Sequence, residues 1–350
     1  MNAMRRALVI GGIRGRWDHT IQNANWQFTN TVEAWVNALQ GDYWGPRPPP
    51  LSVIREYELV IANLNPTHVP AYARLAKERP VGTRWVSLVE GDGHDYLEPS
   101  PRLLEVLDHS DLVATITCHT TAYFRALTRT PVAYIGVPYP VDYVSGLATP
   151  VHEREPVALI CPRSNRCPSL AVAAGLGMPV RLYVPKVPRT LRNVVLFARR
   201  GYLGKDLHAR WWRRTLGEMR AEVLLERELT DFWPEAGRCR LWINLDARYT
   251  WARYVLDAAA LGVPIIATRS TGHAPVLFPE TTVENVFAVG EAVRIGRRLL
   301  AEPSFAEEIT ARAGQGLREY SAEACVERLK AALRGDHLGT PRLSVVATEG

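Results

Sequence analysis

Apolar positions along the chain fall into two alternating registers. Short runs that are apolar almost without interruption occur at residues 7–10, 59–63, 84–89, 111–116, 132–135, 157–161, 180–184, 241–245 and 286–288. Each is a strand's length, and the lack of polar alternation marks strands covered on both faces, the habit of parallel sheets. Between them lie segments with helical spacing, at about 28–39, 69–77, 122–127, 169–176, 228–234, 291–300 and 305–318. Residues 253–272, RYVLDAAALGVPIIATRSTG, hold both registers in one stretch. Val255 with Leu256 and Ala259 with Ala260 give a helix that breaks at Gly262. Residues 263–267 then make a buried strand, and Ser270-Thr271-Gly272-His273 make a small-residue turn at its carboxyl end. Open α/β sheets hold their ligands at that end. Strands alternating with helices predict an α/β fold of doubly wound parallel sheets.

At 350 residues the chain is long enough for two domains with separate cores. The expected division is 1–145, 146–335 and a tail or crossover at 336–350, with a polar linker at about 143–155. A composition 47% apolar and 22% charged is that of a globular protein. No apolar run approaches the roughly 20 residues that span a bilayer. The N-terminus lacks a signal-peptide apolar region, so the expected compartment is cytoplasmic. Five cysteines, at 118, 161, 167, 239 and 325, form no C-x-x-C pair and no zinc spacing, which points to reduced thiols. The net charge of +6 favours anionic partners: nucleotide sugars, nucleic acid or a membrane surface.

The charge becomes informative at residues 162–169, PRSNRCPS, between a strand and an Ala-rich helix. Arg163 and Arg166 beside the positive end of a helix suit an anion, with Ser169 as N-cap or Pro168 in the first helical turn. Further on, NLDARYTW at 244–251 supplies Asp246 and Arg248 from the loop after a strand. Toward the N-terminus, the first strand runs into Gly11-Gly12-Ile13-Arg14-Gly15, which lacks the G-x-G-x-x-G spacing of a dinucleotide site. Asp18 and His19 follow; they read either as an acceptor-facing pair or as a capping Asp with a surface His. Residues 41–50, GDYWGPRPPP, read as a stiffened loop. Glu90-Gly91-Asp92-Gly93-His94-Asp95 gathers acids and a histidine at a strand's carboxyl end. Its residues read either as a sugar- or acceptor-recognition loop or as a hydrated acidic loop, and they do not make a dedicated metal site. In the basic segment 186–220, Tyr202, Trp211 and Trp212 lie among arginines. That segment reads as an amphipathic helix with inward tryptophans or as a stacking surface for nucleic acid.

The helix, GVPIIAT strand and turn of 253–272 resemble the nucleotide-sugar segment of GT-B-fold glycosyltransferases, especially the retaining family 4 group. Val137-Pro138-Tyr139-Pro140-Val141-Asp142 is similar to the element that ends their N-terminal domain, and REYSAEACVERL at 318–329 is similar to their C-terminal helix. The family's acid pair E-x7-E is altered: Tyr249 stands at the first position and Asp257 at the second. The resemblance implies two Rossmann-like domains facing a cleft, an acceptor-binding one first and a donor-binding one second. It implies transfer of a sugar from a nucleoside-diphosphate sugar, a UDP-sugar favoured, to a hydroxyl on a glycan, a small molecule or a modified DNA base. Retention is implied, with neither cofactor nor metal. By the same resemblance Arg163, Arg166, Ser270, Thr271, Gly272 and His273 bind the donor diphosphate, and Asp246, Arg248 and Asp257 its ribose or sugar. His19, His94 and Asp95 serve catalysis from the acceptor side with Asp257, beside the acceptor loop of Gly11, Gly12, Arg14 and Asp18. A DNA-modifying transferase, a non-catalytic sugar-nucleotide or glycan-binding module and a sugar-nucleotide epimerase are the alternatives. Replacing Arg163 by alanine is expected to weaken UDP binding by about 1.5–3 kcal/mol in isothermal titration, the worth of a charged hydrogen bond; an unchanged Kd removes Arg163 from the site.

Overall fold

The computed structural model describes residues 7–11, 31–45, 47–64, 69–90, 96–162, 164–184, 220–225 and 229–336. Twelve strands among them build two six-stranded sheets, parallel at every pairing. The contacts divide the chain into two compact units. The first comprises Met1–Val141, Arg248–Trp251 and Leu317–Gly350; the second comprises Asp142–Ala247 and Ala252–Gly316.

In the first unit, strands β1 (Ala7–Ile10), β2 (Asp42–Trp44), β3 (Leu59–Leu64), β4 (Arg84–Val89), β5 (Leu112–Thr115) and β6 (Val132–Tyr134) lie in the order β2-β1-β3-β4-β5-β6. Helices α1 (Thr31–Leu39), α2 (Leu51–Ile54), α3 (Val69–Glu78), α4 (Pro101–Asp108) and α5 (Cys118–Leu127) connect them. Both faces of the sheet are buried, which explains the uninterrupted apolar runs. Leu8 and Ile10 join one cluster with Val60, Ala62 and Leu64, while Ala7 and Val9 join the other with Leu59, Ile61 and Trp35.

The second unit begins with α6 (Val141–Ser145), at the junction between the units, followed by β7 (Glu155–Ile160), α7 (Arg166–Leu176), β8 (Val180–Val184) and β9 (Ala221–Leu225). It continues through α8 (Leu229–Gly237), β10 (Cys239–Asn244), α9 (Arg253–Ala260), β11 (Ile265–Thr268), α10 (Ala274–Leu277), β12 (Thr282–Val283), α11 (Val289–Ala301) and α12 (Pro303–Gly316). The sheet runs β12-β11-β10-β7-β8-β9, so it grows outward from β7 first on one side and then on the other. On β8 the buried Arg181 ties three strands together, reaching Glu155 of β7 at 2.8 Å and Glu222 of β9 at 2.6 Å. Gly262 carries φ +63° directly after α9, the left-handed turn that stops the helix and feeds β11.

Four local expectations change. Residues 42–44 of the expected loop pair in parallel with β1, and Tyr43 is buried there with its hydroxyl donating to the Gly11 carbonyl at 2.8 Å. The last strand of the second sheet is Thr282–Val283, not 286–288; Thr282 pairs with Ala267, while Phe287 is exposed. The N-cap of α7 is Asn165, which leaves Ser169 wholly buried in the helix's first turns. Helix α13 (Ala322–Arg334), which the expected division carried with the second domain, packs in the first unit. Its apolar face explains this, since Cys325 and Leu329 are buried in one cluster with Val9, Trp35 and Ile61. Ser321 caps that helix by accepting from the Ala324 amide at 3.2 Å.

Burial pushes the thiols of Cys239 and Cys325 up to about 12. The unfolded chain gives up these protons at its ordinary, lower pKa, so each thiol stabilises the fold fully below that value and loses its contribution as pH rises toward 12. The loss is about 1.4 kcal/mol per thiol and pH unit. Urea unfolding between pH 8 and 11 is expected to show this decline, and the Cys239→Ala and Cys325→Ala variants a shallower one.

Candidate functional site

In the second sheet, β7 and β10 are neighbours whose outgoing connections diverge, β7 toward β8 and β10 toward β11. The carboxyl ends at such a switch point are where doubly wound sheets leave room for a ligand. The chain leaves β7 through Cys161 and turns at Ser164, whose hydroxyl donates to the Cys161 carbonyl at 2.8 Å. It then enters α7 at Arg166, a half-buried residue in the first turn. The amides of a helix's first turn have no partner inside the helix and concentrate partial positive charge there.

Asn165 fixes that helix start against β10. Its amide donates to the Leu245 carbonyl at 2.6 Å, and its side-chain oxygen accepts from the Ala247 amide at 2.7 Å. A second brace joins β10 to β11: the Thr268 hydroxyl donates to the Asp246 carbonyl at 2.7 Å and accepts from the Asp246 amide at 3.1 Å, and the Ser270 hydroxyl also donates to that carbonyl. Three adjacent carboxyl ends are thus linked into one rim. Asp246 is buried on it. The Thr271 amide and hydroxyl both donate to the Thr268 carbonyl, and Gly272 and His273 are buried in the turn that opens α10.

Asp257 is held by bonds of its own. On α9 it is completely buried, with Oδ1 accepting from the Trp233 indole of α8 at 2.9 Å and Oδ2 accepting from Arg253 at 3.3 Å. These bonds tie α8 to α9. The helix itself starts from a strained residue, Ala252, at φ +48°.

Of the residues singled out in the sequence, Arg166, Asp246, Ser270, Thr271, Gly272 and His273 share this rim. Arg248 groups with the first unit, where its neighbour Tyr249 meets His119 edge to face at 5.8 Å. Gly11 follows β1 in the same unit. Gly12, Arg14, Asp18, His19, His94, Asp95 and Arg163 lie outside the described residues, as do Tyr202, Trp211 and Trp212. Asn165, Thr268 and Trp233 were missed. Only Asn165 left a sequence signal, an N-cap residue type just before the Ala-rich helix. Among the described residues no group of three or more His, Cys, Asp or Glu side chains is placed to hold a metal ion. No helix among them is long and apolar enough to cross a membrane.

No protein-family model and no curated protein sequence matches the chain. Solved structures do match in fold. A UDP-forming α,α-trehalose-phosphate synthase from Burkholderia xenovorans aligns over 80% of this chain and 74% of its own, with TM-score 0.60 and 12% identity. The α,α-trehalose 6-phosphate synthase of Burkholderia multivorans covers 86% and 79%, with TM-score 0.62 and 11% identity. An α-glucosyltransferase in complex with UDP and a 13-mer DNA containing an HMU base covers 81% and 82%, with TM-score 0.53 and 12% identity. The GT-B architecture implied by the sequence resemblance is therefore present: two all-parallel α/β units, shared with these glycosyltransferases.

If the Trp233–Asp257 bond braces α8 against α9, Trp233→Phe removes the donor to a buried carboxylate. Urea unfolding is expected to show a loss of about 1.5–3 kcal/mol; a loss below about 0.5 kcal/mol rejects the brace.

Proposed function

We propose that this chain is a nucleotide-sugar-dependent glycosyltransferase, with the donor diphosphate held at the start of α7 and the acceptor hydroxyl presented by the first unit. The observation that carries this reading is the braced rim at the β7–β10 switch point. A helix N-terminus with a cation in its first turn is locked to the neighbouring strand by Asn165. Such a preformed set of donors stabilises the charge that develops on a departing diphosphate, and it needs little rearrangement to do so. In this reading Arg163 and Arg166 supply cationic donors, and Asp246 on the rim takes up ribose or sugar hydroxyls.

The likeness in fold to trehalose-phosphate synthases and to a UDP-binding α-glucosyltransferase favours UDP-sugar as donor and retention of configuration. Asp257 acts as a positioning residue in this scheme, holding Arg253 and α9 in place. His19, His94 and Asp95 remain the acceptor-side candidates. A second reading, transfer to a hydroxymethylated base in DNA, draws on the neighbour whose structure contains DNA with an HMU base. Its mark is DNA binding that weakens steeply with salt.

Cys167, exposed in the first turn of α7 beside Arg166, makes the donor site testable without knowing the acceptor. UDP at a hundred times its Kd is expected to stabilise the fold by about 2.7 kcal/mol. It is also expected to slow alkylation of Cys167 by N-ethylmaleimide, while Arg166→Ala weakens UDP binding roughly tenfold. UDP, GDP and ADP all leaving both the melting temperature and the Cys167 labelling rate unchanged defeats the transferase reading. With UDP-glucose and an acceptor, the anomeric configuration of the product by NMR decides retention.

A further inference from the structure

Helix α7, whose first turn the proposed function gives to the donor diphosphate, is fitted at its opposite end to α11 through two glycines. A Cβ at Gly175 of α7 would stand 2.7 Å from Val293 Cγ2 of α11 and 3.3 Å from its Cγ1. A Cβ at Gly296 of α11 would stand 2.7 Å from Leu176 Cδ1 of α7, 2.9 Å from its Cδ2 and 3.2 Å from Ile266 Cδ1 of β11. Arg297 of α11 donates to the Gly175 carbonyl at 3.2 Å. The two helices therefore approach more closely than a side chain at 175 or 296 allows.

The two close contacts do not yield equally. Val293 is β-branched and lies within a helix, where one rotamer is strongly preferred, so it resists swinging aside. Leu176 is half-buried and has more freedom. Helix α11 itself is fixed, since Ala292, Ile295 and Leu299 are buried in one cluster with Val172 of α7 and Ile266 of β11. A side chain at 175 must then displace the C-terminal end of α7. A helix of this length moves as a rod, and Gly175 stands about 14 Å along it from Arg166. With Leu170 and Val172 held in the core as a fulcrum, displacement at one end emerges at the other. The N-terminal end tolerates little of it. There Asn165 accepts from the Ala247 amide at 2.7 Å and donates to the Leu245 carbonyl at 2.6 Å.

We infer that Gly175, with Gly296 as its counterpart, is a positioning residue for the donor site: the close contact of α7 with α11 sets where the first turn of α7 stands on the rim. This rests on the transferase reading for what that turn binds. Donors aimed at a charged ligand work only when held within about 0.5 Å of the productive geometry, so a contact three turns away governs how well they meet a diphosphate. The same contact reaches β11 through Ile266, two residues before Thr268, whose hydroxyl braces Asp246. Two elements of the rim are thus referred to one helix that touches no ligand.

The test compares the full chain with Gly175→Ala, Val293→Ala and the two combined. By isothermal titration Gly175→Ala is expected to bind UDP about tenfold more weakly than wild type. Val293→Ala alone is expected to stay within about twofold, and the combined variant to recover to about threefold or better, because the methyl added at 175 takes the space vacated at 293. Without nucleotide, amide exchange by NMR is expected to quicken about fivefold or more at Asn165 and Ala247 in Gly175→Ala, relative to Trp242 and Ile243 of β10, and to recover in the combined variant. A substitution that merely loosens the fold quickens all four amides alike. A UDP Kd within about twofold of wild type in Gly175→Ala, no recovery in the combined variant, or exchange at Ala247 that only follows β10 overturns the inference. If Gly175→Ala fails to fold, Gly296→Ala and its combination with Leu176→Ala face the same criteria. Failure of UDP, GDP and ADP to bind the wild type defeats the transferase reading and leaves amide exchange to judge the placement of α7 on its own.

Discussion

A parallel sheet that extends first to one side of its opening strand and then to the other must part its connections at one place, and both sheets of this protein obey that constraint. Helices leaving the two diverging strands cannot cover the carboxyl ends between them. In the second sheet the opening lies between β7 and β10 and in the first between β1 and β3. Each is lined by short polar side chains engaging neighbouring backbone or carboxylate groups: Asn165, Thr268 and Ser270 in one, Asn63 and Thr31 in the other. The two rims differ in electrical character. A cation and helix amides mark the second, while the Glu90 carboxylate marks the first.

The sheets and most helices were legible in the sequence because both faces of each strand are buried, so apolar runs and helical periods alternate without ambiguity. The arrest of α9 at Gly262 could be read from one residue, since a left-handed turn falls most easily to glycine. Edge elements were less legible. Asp42–Trp44 is three residues long, flanked by glycines and prolines, and becomes a strand only because β1 offers it a partner. The expected strand at 286–288 was a plausible apolar run, but Thr282 rather than Val286 pairs with β11.

The placement of candidate residues was legible where local sequence decides it, as with Arg166 at a helix start or the turn after β11. They were illegible where the chemistry depends on distant partners. Asp257 sits where the sequence resemblance expects an acid, yet its oxygens are engaged by Trp233, 24 residues earlier, and by Arg253. Asn63 and Glu90 are 27 residues apart, and the apolar run containing Asn63 gives no sign that its amide meets a carboxylate. Sheet order brings such pairs together, and order is a property of topology rather than of any one segment.

The return of α13 to the first unit also bears on how the molecule is made. The second unit's described strands and helices all lie between Val141 and Gly316, so every one of them has left the ribosome before α13 has. The first unit starts with β1 but keeps one face of its sheet unfinished until Cys325 and Leu329 arrive to cover Val9, Trp35 and Ile61. The domain begun first is therefore the domain completed last. For the duration of some two hundred residues of synthesis, its apolar face must be shielded by something other than its native partner.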